Sequence, residues 1–136
     1  MTTYTVSTLA QLNSAILAID SATSGTGANT INISGTVSLT SALEAINLAS
    51  GNSLTISGFS GGTLDGLGNQ RGLFIYAGDV AVENLSIVSA TAAGGNGAGG
   101  GGGGAGLGGG LYCSIWSHVR AMRSTLTVEP NNCNRS

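Results

Sequence analysis

The residues with the clearest capacity for chemistry are three acids in the middle of the chain, Asp65, Asp79 and Glu83. Carboxylates brought together on one face can serve as general acid and base, or can ligate Ca²⁺. The competing reading is turn chemistry. Asp65-Gly66 and Gly78-Asp79 are turn dipeptides, and Glu83 alternates outward from Val80 and Val82. The second reading is preferred, so no catalytic residue is expected.

Other motifs are weaker. Gly95-x-Gly97-x-x-Gly100 has the form of a dinucleotide fingerprint, but that motif works only between a strand and a helix. Here it lies in residues 94–110, where 13 of 17 positions are glycine. Such a tract produces the pattern by chance, and no cofactor is expected. The tract has the glycine content of Ca²⁺-binding nonapeptide repeats, yet it contains no Asp. It reads as a flexible loop. Cys113 and Cys133 could close a disulfide, or join His118 at a metal, but two Cys and one His do not complete a tetrahedral set. No metal site is expected. Asn32, Asn84 and Asn134 each open an Asn-x-Ser sequon and are read as corner and surface residues.

Composition narrows the function classes. The chain has 136 residues, 24 of them Gly, with 7% charged and 4% aromatic residues and a net charge of −2. Four Arg and no Lys do not make a phosphate-neutralising face, so no nucleic-acid partner is expected. No run of about 18 apolar residues occurs, so this segment is not expected to insert into a membrane. The N-terminus lacks the basic and apolar regions of a standard signal peptide.

The elements that must position these residues fall into a simple pattern. Thr8 and Gln11 fit a capping box, and Leu9, Leu12, Ile16 and Ile19 follow at helical spacing. After the small, polar 21–27 stretch the period becomes two. Ile31/Ile33, Val37/Leu39, Ile46/Leu48, Leu54/Ile56, Leu73/Ile75, Val80/Val82 and Leu85/Ile87 are apolar–x–apolar pairs, each fitting a strand of about three to five residues. Gly, Asn, Asp or Ser fills most gaps between them. Short strands with aliphatic inward residues favour stacked layers over a two-sheet sandwich, and such a stack needs a cap at its open end. The expected organisation is an N-terminal strand and capping helix (1–28), stacked strands (29–93), a glycine-rich loop (94–110) and an atypical tail (111–136).

Residues 4–111 resemble the start of a right-handed parallel β-helix of the pectin-lyase-like type, as in the passenger domains of bacterial autotransporters and large surface adhesins. The stretches YTVSTLAQLNSAI, LTISGFSGGTLDGLGNQRGLFIYAGDVAVENLSI and GGGGGGAGLGGGL carry the likeness. The resemblance implies an all-β, single-stranded parallel β-helix solenoid capped by an α-helix. It implies a secreted or cell-surface protein with a structural or binding role and no catalysis. A host surface or a polysaccharide would be the partner through a parent protein. Pectinolytic members use acids together with a basic proton acceptor, and Arg71 is the single candidate for that role in the stacked region. A polysaccharide lyase or hydrolase is therefore the alternative function, and a gene fragment without a function of its own is a third.

At Leu111 the family's pattern stops. The tail carries the only His (His118), the only Trp (Trp116), the only Pro (Pro130), both Cys and three of four Arg. Tyr112–Trp116 can be encoded TAY-TGY-AGY-ATH-TGG, which one base later can spell IAASG, close to the missing repeat. The tail is thus expected to be a frameshift product, the other reading being a genuine divergent terminus. A chain ending on so few layers is expected to self-associate through its uncapped end.

Overall fold

The computed structural model describes residues 2–23, 25, 27–59, 61–91, 111–122 and 125–126, the last two stretches by their backbone. The chain is mostly strand. It has two sheets, a single helix, and parallel pairing between every strand pair among the described residues. In order the elements are β1 (Thr2–Val6), α1 (Leu9–Asp20), β2 (Ala28–Ile33), β3 (Thr36–Ser38), β4 (Ile46–Asn47), β5 (Ser53–Ser57), β6 (Thr63–Asp65), β7 (Leu73–Glu83), β8 (Ser86–Val88), β9 (Leu111–Met122) and β10 (Thr125–Leu126).

One sheet runs β1-β2-β5-β7-β4, with β9 also paired to β7; the other runs β10-β8-β6-β3. Neighbours in each sheet are not consecutive in sequence. Ala28 faces Ser53 and Ser53 faces Asp79; in the second sheet Thr36 faces Thr63 and Thr63 faces Ser86. β2, β5 and β7 therefore lie beside strands about 25 residues apart in sequence, as do β3, β6 and β8, while β9 and β10 pair with strands further back.

That register explains the core. Asn29, Leu54 and Val80 form one row, Ile31, Ile56 and Val82 a second, and Val37, Leu64 and Ile87 a third. The aliphatic members of these rows are buried, as are Ile33, Leu39, Ile46, Leu48, Leu73, Ile75 and Leu85. No aromatic residue belongs to the buried core of the described residues. Each fully buried Ile, Leu or Val contributes about 1.5–3 kcal/mol. The alternate positions point outward and are polar, giving the rows Thr3–Thr30–Thr55 and Thr5–Asn32–Ser57.

α1 closes the end of this core beside β1, β2 and β4. It buries Leu12, Ala15, Ile16 and Ile19, while Leu9 packs partly buried against the same cluster. The Gln11 N–H donates to Thr8 Oγ1 at 3.2 Å. The returning bond differs from a capping box: Gln11 Oε1 accepts from the Ser7 N–H at 2.9 Å, one residue before the cap. Two further bonds hold the helix to the β4 region. Asn13 Oδ1 accepts the Glu44 N–H and Asp20 Oδ2 accepts the Asn47 N–H, both at 3.0 Å.

The corner between the sheets is built by backbone in contact with backbone. A β-carbon on Gly58 would run into the Asn84 carbonyl and Leu85 Cα, and one on Gly62 into the Ile33 carbonyl. Side chains are excluded there, which lets consecutive layers bond directly. Gly58 N–H donates to Glu83 O at 2.8 Å, and Thr63 N–H to Gly35 O at 2.9 Å.

One expectation changes. Leu73/Ile75 and Val80/Val82 lie on one strand of 11 residues, so Gly78-Asp79 is not a turn. Gly78 takes φ +116° inside β7, and its missing side chain leaves room for Leu48. That conformation bends the strand without ending it. Within the tail, residues 111–122 form a strand paired along β7 from Leu73↔Leu111 to Glu83↔Met122. Strand pairing thus extends past the point where the sequence leaves the family's pattern.

Candidate functional site

The three acids do not converge. Asp65 ends β6 in one sheet, while Asp79 and Glu83 lie on β7 in the other. Asp79 and Glu83 share a strand face four residues apart, which at strand rise separates them by about 13 Å. Carboxylate pairs that cleave glycosidic bonds stand roughly 5–10 Å apart. The backbone spacing of the β7 pair is wider than that range.

Local structure accounts for Asp65. Its Oδ1 accepts the Leu67 N–H at 2.9 Å, an Asx turn that starts the 65–70 loop and holds Leu67 at φ +55°. The backbone carbonyl of Asp65 accepts from Leu39 N–H at 2.8 Å in the neighbouring layer. Arg71 is exposed and its guanidinium carbon stands 5.1 Å from the centre of the Phe74 ring. This is a cation–π contact. It places Arg71 at the start of β7, and Asp79 lies near the strand's far end.

Asp79 has the most suggestive setting. It is exposed beside a surface concavity of about 560 Å³ that Asn52, Ser53 and Gly78 also line. Asn52 is buried and structurally committed: its Nδ2 donates to Thr23 O at 3.0 Å and its Oδ1 accepts the Gly27 N–H at 3.3 Å. The concavity therefore offers one carboxylate and hydroxyl or backbone groups. It can hydrogen-bond a polar ligand, but it lacks a second acid or base among the described residues.

One carboxylate that sequence reasoning passed over is more perturbed than these. The carboxyl of Asp20 has a raised pKa, chiefly because burial disfavours its charge. The bond from the Asn47 N–H opposes the shift, and the charge of Glu44 adds to it. Its Oδ1 is buried without a hydrogen-bond partner. Asp20 sits at the last turn of α1, where its structural task of holding β4 explains its position. An Asp closing the helix directly after the buried Ile19 was the available signal.

The remaining motifs lie largely outside the described residues. These include Gly95, Gly97, Gly100, Cys133, Asn134 and Pro130. Cys113 and His118 are described by backbone position: Cys113 faces Ile75 and His118 faces Asp79. Asn32 lies on β2, and Asn84, at φ +52°, makes the exposed corner before β8, as a turn residue would. No group of three His, Cys, Asp or Glu capable of holding a metal occurs among the described residues, and no helix there is long and apolar enough to cross a membrane. No family model, curated protein or solved structure matches the chain.

Proposed function

We propose that the chain forms the helix-capped start of a right-handed, single-stranded parallel β-helix. In this reading it serves a secreted or surface-displayed adhesin of the autotransporter-passenger type, in a structural or binding role without catalysis. The observation that carries this reading is the parallel register Ile31–Ile56–Val82, repeated by Asn29–Leu54–Val80 and Val37–Leu64–Ile87. Aliphatic residues stack at similar intervals in these rows, as a chain that winds repeatedly past the same faces would place them. The outward rows of Thr, Ser and Asn support the binding role, because they repeat hydroxyl and amide groups at the strand spacing of about 4.8 Å.

The acids' dispersal over two sheets argues against the alternative, a polysaccharide lyase or hydrolase of the same fold. An assay on polygalacturonate, with and without Ca²⁺, tests the choice. The expected result is no product above the uncatalysed background. Turnover abolished by Asp65→Ala or Asp79→Ala would overturn the non-catalytic reading in favour of the enzyme.

A further inference from the structure

The pairing of β9 with β7 puts a carboxylate position and an imidazole position in register. Ser53, Asp79 and His118 occupy three neighbouring strands in one row. Thr55, Ala81 and Arg120 form the next outward row, and Ser57, Glu83 and Met122 the one after it. Val80 and Val82 are buried, so 79, 81 and 83 are the outward positions of β7. In-register residues of a parallel pair share a face, with strands about 4.8 Å apart. The chain's single histidine and one of its four arginines are thereby assigned to the face that holds both β7 carboxylates.

Among the described residues, the surroundings of Asp79 hold little else that titrates. Its β5 neighbours Ser53, Thr55 and Ser57 carry no charge, nor does the turn of residues 48–52. Glu83 on its own strand and Arg120 on β9 are the remaining charged groups of these rows. Residues 92–110 contain no ionisable side chain.

We propose that the Asp79–His118 register row makes the seating of β9 on β7 proton-dependent. Histidine gains its charge below about pH 6.5. A carboxylate position directly across the pair favours the charged form in the seated strand and raises its midpoint. The added stability is complete below the unfolded value and is lost as pH rises through the seated one. A slip of one residue would set Asp79 against Ser117 or Val119 and forfeit the pairing, so the same row also selects the register. This goes beyond the proposed function and holds whatever the outer surface binds.

The single histidine permits a direct test on the full chain. The imidazole titration is followed by NMR in the wild type, Asp79→Asn and Glu83→Gln. The expected wild-type midpoint lies about half a unit above the ordinary value. It should fall back in Asp79→Asn and move less in Glu83→Gln. Amide exchange along β9, corrected for its intrinsic pH dependence, should be about threefold slower at pH 5.5 than at pH 7.5, the same half unit expressed as a ratio. His118→Gln should remove that difference. Asp79 is exposed, so its substitution leaves the core intact. A midpoint indifferent to Asp79→Asn, or a β9 exchange ratio preserved in His118→Gln, would overturn the proposal.

Discussion

Asp20 Oδ2 accepts the backbone N–H of Asn47 at 3.0 Å, joining the last turn of the capping helix to β4, while its second oxygen is buried without a partner. One carboxylate thus supplies a needed acceptor at the cost of a partly buried charge.

Two substitutions separate those effects. Asp20→Asn keeps an acceptor and removes both the buried charge and the repulsion from Glu44. It should raise stability at neutral pH by about 0.5 kcal/mol, a figure reduced for the solvent screening of a half-exposed group. Asp20→Ala removes the acceptor as well and should cost about 1 kcal/mol. Chemical denaturation at pH 7 measures both.

The raised pKa of Asp20 also sets a pH trend. Its folded form takes up a proton more readily than its unfolded form. This group's contribution to stability therefore increases as pH falls through its folded pKa and levels off below the unfolded value. Wild type minus Asp20→Asn, followed by urea midpoints from neutral to acid pH, should show the penalty at neutral pH disappear on acidification. A constant difference would contradict the assignment.

Gly58 tests the backbone-to-backbone corner. A methyl group there meets the Asn84 carbonyl and Leu85 Cα, neither of which can rotate away. Gly58→Ala should cost more than about 2 kcal/mol even though Gly58 is not among the positive-φ glycines. Thermal melts should show a large drop in Tm. A Tm within a few degrees of wild type would mean that the layers are not held this closely.

Ile56 lies between Ile31 and Val82 in its column and is fully buried. Ile56→Val should cost about 0.5–1.5 kcal/mol and Ile56→Ala about 2–5 kcal/mol, because the cavity lies between fixed strands. Against a typical total of about 5–15 kcal/mol, the alanine variant is expected to be partly unfolded at 37 °C. Urea unfolding of the two variants gives the ordering.

Among the described residues β9 is paired along one edge, to β7. A strand of 12 residues with an open edge is a template for further pairing. The isolated protein is expected to form oligomers in size-exclusion chromatography with light scattering. A sharp monomer peak together with a cooperative melt would contradict this.

Legibility in the sequence followed the local strength of each signal. The helix was readable because Thr8, Gln11 and the Leu12–Ile16–Ile19 spacing agree. β2 and β5 were readable because each carries two aliphatics at period two. β6 was not, since Leu64 alone is apolar between Thr63 and Asp65, and one residue has no period. The continuity of β7 was hidden by Gly78-Asp79, a turn dipeptide that here bends a strand around Leu48. For the acids, the Asp65 turn was visible in its Asp-Gly sequence. The importance of Asp20 was not, because it depends on Asn47 and Glu44, which only the fold brings near. The Asp79–His118 row likewise depends on a register set across 38 intervening positions, beyond the reach of any local pattern.

The helix that closes the core precedes every layer it protects. β2, β5 and β7 each pair with a strand about 25 residues earlier, already made when synthesis runs from the N-terminus. Assembly can then proceed as growth on a template, in the order in which the chain emerges from a ribosome or a narrow pore. The loops closed by these pairings are short. Among the described residues β9 keeps one open edge, where a further strand, or a stray one, can add.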